Sequence, residues 1–150
     1  MRSAQMKRSG RAVRIGTTAY GLGVFARRRF RAGETVADID GLRVPEPDYW
    51  SEYCMDLGGG QVLEPRAPLR YINHSCEPNC ELVHSAKCDE RTGAVRRTLY
   101  LKSLARIVRG RQLTIDYAWS ADSAIPCLCG SANCRGWIVA CEELHLLKSS

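Results

Sequence analysis

Three stretches of this 150-residue chain carry side chains able to do chemistry. Arg70-Tyr71-Ile72-Asn73-His74-Ser75-Cys76-Glu77-Pro78-Asn79-Cys80 packs an amide, an imidazole, a hydroxyl and two thiols into one run and closes on a proline turn. Polar groups that dense, directly after an apolar Tyr-Ile pair, predict a site at the edge of a core. In Tyr20-Gly21-Leu22-Gly23-Val24-Phe25-Ala26, two glycines around one apolar residue let backbone approach a ligand or another strand closely. The third glycine and following helix of a dinucleotide-binding turn are missing. Cys127-x-Cys129-x4-Cys134 sets three thiols within eight residues, with Gly130 easing the turn between them.

Three thiolates at that spacing read as zinc ligands. A structural zinc is tetrahedral and closed by four N or S ligands, so a fourth is required. Cys141 lies seven residues past Cys134, Cys76 lies 51 residues before Cys127, and His145 is a third candidate. Spacing alone leaves the three open. The basic residues Arg2, Lys7, Arg8, Arg11 and Arg14 are followed by no apolar segment, which argues against a secretory signal. Eight cysteines are then expected to sit in a reducing compartment, as metal ligands or free thiols. Cys54, Cys80 and Cys88 read as small core residues or surface thiols.

Positioning these groups falls to short extended segments. Val13-Arg14-Ile15, Val24-Phe25-Ala26, Thr35–Asp40, Val62-Leu63, Glu81–His84, Arg97–Leu101 and Gln112–Tyr117 read as strands. Turns are expected at Tyr20–Gly23, Arg31–Glu34, Asp89–Gly93 and Gly110, a flexible connector at Gly58–Gly60, one or two helical turns at Asp48–Met55, and a short helix from Cys141 to Leu147. Many short strands joined by Gly/Pro turns predict a mainly β single domain. At 45% hydrophobic and 25% charged residues, the chain is long enough to bury one core without disulfides. No apolar run approaches the roughly 20 residues that span a bilayer. The net charge of +6 favours anionic partners, with basic residues gathered at Arg27-Arg28-Arg29 with Arg31 and at Arg106, Arg109 and Arg111. Aromatics do not alternate with them, so the stacking platform of a single-strand binder is absent.

Asn73-His74-Ser75-Cys76-x-Pro78-Asn79, preceded by Gly21-x-Gly23-x-Phe25 and followed by Leu113-Thr114-x-Asp116-Tyr117, resembles the SET domain of protein-lysine methyltransferases. The Cys-x-Cys-x4-Cys-Arg-Gly run resembles the post-SET zinc segment. The resemblance covers about Val13 to Trp137. It implies small curved β-sheets with a pseudoknot, the Asn73–Cys76 segment passing under the loop before Tyr117. It divides the chain into a basic disordered arm (1–12), a SET domain (13–120) and a post-SET zinc segment with a short tail (121–150). S-adenosylmethionine would lie against Leu22 and Gly23, held by Arg70, Asn73 and His74, with Trp137 as the post-SET aromatic. Tyr117 would be the catalytic tyrosine. Cys76 would join Cys127, Cys129 and Cys134 on one structural zinc, a choice that comes from the family.

The implied reaction is methyl transfer to the ε-amine of a lysine in a protein substrate, a histone or histone-like protein among the candidates. A free lysine amine, with a pKa of about 10.4, is mostly protonated at neutral pH. A narrow aromatic channel ending at a sulfonium lowers that value by desolvation and like-charge repulsion. The rival reading is a zinc-stabilised, catalytically inactive SET-like module that binds a protein tail or nucleic acid. Under the leading reading nucleic acid is not required, no membrane is involved, and the chain acts as a monomer or homodimer. Its location is intracellular, cytoplasmic or chromatin-associated. The sequence also departs from the family pattern. Ile39 stands where a tyrosine is common, so Tyr49, Trp50 or Tyr53 is expected to supply a wall of the site. Asp38, Asp40, Asp48, Glu52, Asp56 and Asp116 are expected to form a local acidic groove. Ile115, two residues before Tyr117, leaves room for more than one methyl group.

Overall fold

A computed structural model describes residues 11–148. The expected arm therefore lies almost wholly outside the described residues. At its end, however, Ala12 is buried and its carbonyl accepts the Arg27 N–H at 2.9 Å, so the folded body already includes Ala12.

Twelve short strands appear among the described residues, in three small sheets and one ribbon. β1 (Val13–Thr18) and β2 (Gly21–Ala26) form an antiparallel hairpin. Its turn is Ala19-Tyr20, closed by Tyr20 N–H on Thr18 Oγ1 at 3.1 Å. The glycines assigned to the turn belong to the strand itself. Gly21 needs its freedom, with φ at +122°. Gly23 is glycine because a Cβ there would lie 2.8 Å from Gln112 Oε1 and 3.1 Å from Asn73 Nδ2.

β2 pairs with β10 (Gln112–Ile115), and β10 pairs in parallel with β7 (Asn73–His74), giving the order β1-β2-β10-β7. A second sheet sets β9 (Val95–Ser103) between β3 (Thr35–Ile39) and β8 (Cys80–Cys88). A third sets β6 (Gln61–Pro65) between β4 (Gly41–Val44) and β5 (Met55–Gly58). The three glycines after Leu57 close the β5–β6 hairpin, all at positive φ, instead of forming a loose connector. Asp48–Cys54 forms bends, not helical turns. Its Ser51 hydroxyl accepts the N–H groups of Tyr53 and Cys54, a local bond that competes with helix. In the tail, β11 (Ile125–Pro126) pairs with β12 (Trp137–Ile138), and a 3-10 turn at Cys141–Glu143 runs into the helix Leu144–Lys148.

One apolar cluster joins the sheets. Val24, Phe30, Leu57, Leu69, Leu99, Leu101, Ile107 and Leu113 are all nearly fully buried. Tyr117 and Tyr71 pack against its edge.

The β7–β10 pairing brings together segments that are far apart in sequence, with β8 and β9 between them. Asn79 extends that lattice. Its Nδ2 donates to Gln112 O at 2.8 Å and its Oδ1 accepts Thr114 N–H at 3.0 Å, so one side-chain amide pairs β10 as a strand would. Ser75 N–H donates to Ile115 O at 3.0 Å. From the other side, Tyr117 reaches back over the same run through its hydroxyl, on Ile72 O at 2.5 Å. The 112–117 segment thus lies across 72–79 and is bonded to both ends of it, which is the expected pseudoknot and an exception to unthreaded connections. Asn79→Ala leaves a partly buried N–H and C=O of β10 unpaired. It should cost about 2–6 kcal/mol in urea unfolding, at about 1–3 kcal/mol for each of the two unmade bonds; a loss under about 0.5 kcal/mol would show that water replaces the amide.

Candidate active site and metal centre

β10 delivers Tyr117 to the end of the crossing. Its backbone N–H donates to His74 Nδ1 at 3.1 Å. Burial, with the nearby charges of Tyr53 and Glu52, pushes its phenol up to about 12, so the hydroxyl stays protonated and can donate. The chain turns sharply just beyond, where Ala118 sits at φ +47°, a conformation that non-glycine residues seldom adopt. The Asp116 carboxylate supports it by accepting Ala118 N–H at 3.0 Å. Strain of this kind persists where surrounding bonds over-determine it.

Tyr117 opens onto a cleft of about 600 Å³ whose lining includes Trp50, Tyr53, Ile115 and Trp119. The Tyr117 and Trp119 rings lie 5.4 Å apart and tilted, and Trp50 meets Trp119 edge-on at 6.0 Å. Trp50 and Tyr53 do supply walls of this cleft, with Tyr49 beside them. Trp119 was not singled out from the sequence. Its position two residues after Tyr117 was the available signal, since the αL turn at Ala118 swings it back over the tyrosine.

A carboxylate fixes this aromatic wall. Glu64 accepts from Arg70 Nη1 at 2.7 Å, from Ser51 Oγ at 2.6 Å and from Tyr49 OH at 3.2 Å. Burial opposes its ionisation, but the hydrogen bonds from Ser51, Arg70 and Tyr49 outweigh that and hold the carboxyl below its ordinary range. The Arg70 guanidinium also lies over the Tyr53 ring at 3.9 Å. Arg70 is therefore placed in the cleft wall, bonded to Glu64 and stacked on Tyr53. Of the expected acidic groove, Glu52, Asp56 and Asp116 line the cleft, whereas Asp40 is paired with Arg66 at 3.2 Å.

On β2 and β7 a second group assembles. Asn73 Nδ2 donates to Leu22 O at 2.9 Å and to Gln112 Oε1 at 3.0 Å, drawing Leu22, Gly23 and Asn73 together. A Cβ on Gly21 would meet nothing within 4 Å, so open space adjoins this edge, and Leu22 is 44% exposed. His74 is turned away from that space. Its Nδ1 accepts from Tyr117, so Nε2 carries the proton and points at Cys76 Sγ, 3.4 Å away. Burial lowers its pKa, Asp116 raises it and Arg135 lowers it again, leaving the ring neutral. The 3.6 Å approach of Asp116 to Nδ1 is accordingly not an ion pair. Trp137, on β12, is half-buried and paired with Pro126.

The sulfur atoms of Cys76, Cys127, Cys129 and Cys134 all lie within 4.8 Å of one another. Cys76 and Cys127 are 3.8 Å apart, matching the edge of about 3.8 Å in a tetrahedron of 2.3 Å Zn–S bonds. Cys141 is exposed and outside this cluster, as is His145. Backbone N–H groups of Arg135 and Gly136 point at Cys76 Sγ and Cys134 Sγ, each at 3.4 Å, as suits thiolate acceptors. Burial opposes ionisation of Cys129, yet the Cys76 N–H and the Ser131 hydroxyl and N–H bring it down to about 6. Burial pushes Cys76 and Cys127 up. Four thiols this close ionise together only around a cation, so the donor set fits zinc.

The same tail is tied to the site. Arg135 Nη2 donates to Asp116 Oδ1 at 2.9 Å and to Val139 O at 3.0 Å, and Asn133 Nδ2 reaches Glu77 Oε1 at 2.5 Å.

The SET domain family profile matches residues 21–118. This chain belongs to the SET domain family. Among curated proteins it resembles the H3 lysine-4-specific histone-lysine N-methyltransferase of Emericella nidulans, 32% identical across 92% of this chain and 12% of that protein. It also resembles the histone-lysine N-methyltransferase trithorax of Drosophila virilis, 43% identical across 79% of this chain and 3% of that protein. The chain thus spans a small fraction of these relatives' length. Among solved structures, KRYPTONITE in complex with mCHH DNA, an H3(1-15) peptide and SAH superposes with a TM-score of 0.67. The match has 25% identity and covers 84% of this chain and 29% of that one.

The geometry sets Cys76, and not Cys141, beside the other three sulfurs, so Cys76 would be the fourth ligand of a zinc held there. Cys76→Ser should drop bound zinc well below one equivalent by elemental analysis, while Cys141→Ser keeps a full equivalent. The reverse pattern would move the ligand to Cys141.

Proposed function

We propose that this SET domain transfers methyl groups from S-adenosylmethionine to the ε-amine of a lysine in a protein substrate. The observation that carries this reading is Tyr117. It is half-buried, held protonated, bonded to Ile72 O and set in the lining of an aromatic cleft, beside the joined Leu22–Gly23–Asn73 edge.

Leu22, Gly23, Arg70, Asn73 and His74 would hold the cofactor, with Trp137 covering it from the tail. The cofactor supplies an electrophilic methyl on a sulfonium. Trp50, Tyr53, Tyr117 and Trp119, which line the cleft, would surround the lysine stem and shield it from bulk water. Desolvation in that enclosure lowers the amine pKa, so its proton leaves to solvent before transfer. No group in the cleft is required as a dedicated base. The protein's contribution is alignment of the amine, with the Tyr117 hydroxyl and nearby carbonyls as fixed polar contacts. The zinc group, with all four positions taken by Cys76, Cys127, Cys129 and Cys134, would hold the tail against the Asn73–Cys76 segment and has no open position for chemistry.

Ile115 is buried at 4% exposure and lines the same cleft. With no hydroxyl to fix a water beside the amine, it leaves room for further methyl groups, so the product should extend to di- or trimethyl-lysine. The relatives are named histone-lysine N-methyltransferases, which points to histone-like substrates, and a chromatin location accords with that. No helix among the described residues is long and apolar enough to cross a membrane.

Tyr117→Phe should cut turnover by about 10²-fold, the usual loss for one preorganised donor, while costing only about 1 kcal/mol of stability for the Ile72 bond. Unchanged turnover would remove the hydroxyl from the mechanism. In the wild type, initial rate should rise from pH 7 to 9.5 as the amine deprotonates. It should show no falling limb below about pH 10, because Tyr117 ionises only near 12. A falling limb near pH 8 would require another ionising group. Glu64→Gln loosens the wall around Tyr53, so KM for the protein substrate should rise about 5–20-fold, equivalent to 1–2 kcal/mol, with kcat and zinc content little changed. An equal loss in kcat would place Glu64 closer to the reaction.

A further inference from the structure

The two arginine-rich loops, distant in sequence, form one face. The loop after β2 and the loop before β10 are joined by Ala26 N–H to Arg111 O at 2.9 Å and Gly110 N–H to Ala26 O at 2.8 Å. Phe30 and Ile107 add a reciprocal pair at 2.9 and 3.0 Å. Phe30 and Ile107 point into the core, at 0% and 1% exposure. Their neighbours in extended backbone must face outward. Arg29, Arg31 and Arg106 do so, and Arg27, Arg109 and Arg111 are exposed beside them. Glu34, the one carboxylate in either loop, is already taken by Arg28 Nη1 at 2.9 Å. The six remaining arginines equal the whole chain's formal charge of +6, so everything outside this face is balanced.

We propose that this arginine face docks on the phosphate backbone of double-stranded nucleic acid. All six cations are arginine, whose planar fork pairs with phosphate through two parallel hydrogen bonds, where lysine offers a point charge. An acidic protein surface would be met equally well by a mixture of both residues. The face carries no exposed aromatic on which a base could stack, so it suits the backbone of a duplex and not unpaired bases. Its position leaves the cleft free. β10 runs away from Arg111 toward Tyr117, six residues or about 20 Å of extended chain. Duplex and cleft occupant therefore approach from different ends of one sheet. The docking itself does not depend on the methyl-transfer reading.

The test is fluorescence anisotropy of the zinc-loaded full chain with a labelled random-sequence duplex of about 25 base pairs, titrated from about 50 to 200 mM salt. Six phosphate contacts predict log K against log salt with a slope of about −5, and Arg29→Ala/Arg31→Ala/Arg109→Ala should make it shallower by about 2.7. That triple variant should keep its zinc content and urea midpoint and leave methylation of a free peptide unchanged. Four results would overturn the proposal. These are no salt-dependent duplex binding, or a slope unchanged in the triple variant. The others are a slope lost instead in Arg2→Ala/Lys7→Ala/Arg8→Ala, or tighter binding to polyglutamate or phosphatidylserine vesicles than to duplex.

Discussion

The parallel pairing of β7 with β10 is the constraint on which the rest of the site depends. Two residues of each strand exchange bonds, yet that contact decides where four functional groups lie. Asn73 leaves one end of it toward β2, and Tyr117 leaves the other toward the cleft. Between them His74 carries a bond to each side, accepting from Tyr117 and donating toward Cys76. A pairing this short would not survive on its own. It persists because the Asn79 amide, the Ser75 N–H and the Tyr117 hydroxyl bond across it from three directions, and because Leu113 and Ile115 bury their side chains beneath it. Where polar bonds are this interlocked, removing one leaves its partner unsatisfied, and that penalty exceeds the value of the bond itself.

The tail depends on the same crossing. Cys76 lies two residues past β7, so the zinc group is anchored to the pseudoknot and not merely appended after it. Arg135, between the last zinc ligand and the ribbon strand β12, then returns to Asp116, next to Tyr117. Metal, tail and tyrosine are thereby linked through two short paths, one through His74 and one through Asp116. A structural zinc at these four thiols would tie the tail to the crossing that carries Tyr117, a role that needs no open coordination position.

Much of this was legible in the sequence because it is local. The Asn73–Cys80 run, the Cys127–Cys134 spacing and the Asp89–Gly93 turn each declare themselves within ten residues or so. The alternation in Gln112–Ile115 gave the strand that carries Tyr117. What escaped was set by contacts between distant segments. Arg70 had only the cofactor role that the family resemblance implies. Its actual partners are Glu64 on β6 and the ring of Tyr53, and nothing local announces either. Asp48–Met55 read as one or two helical turns, but Ser51 turns its hydroxyl onto the local backbone and Glu64 holds that serine in place. Gly58–Gly60 read as slack, whereas Val62 and Leu63 find partners on both sides and draw the glycines into a tight hairpin. The choice between Cys76 and Cys141 needed distances between sulfur atoms, which no count of intervening residues supplies.

The central claim is that the Leu22–Gly23–Asn73 edge and the Tyr117 cleft are two ends of one preformed methyl-transfer site. It is tested most directly by isothermal titration calorimetry of the zinc-loaded wild type with S-adenosylmethionine. The account predicts saturable binding at one site with a dissociation constant in the micromolar range. The absence of heat in protein that unfolds cooperatively and carries its zinc would contradict it.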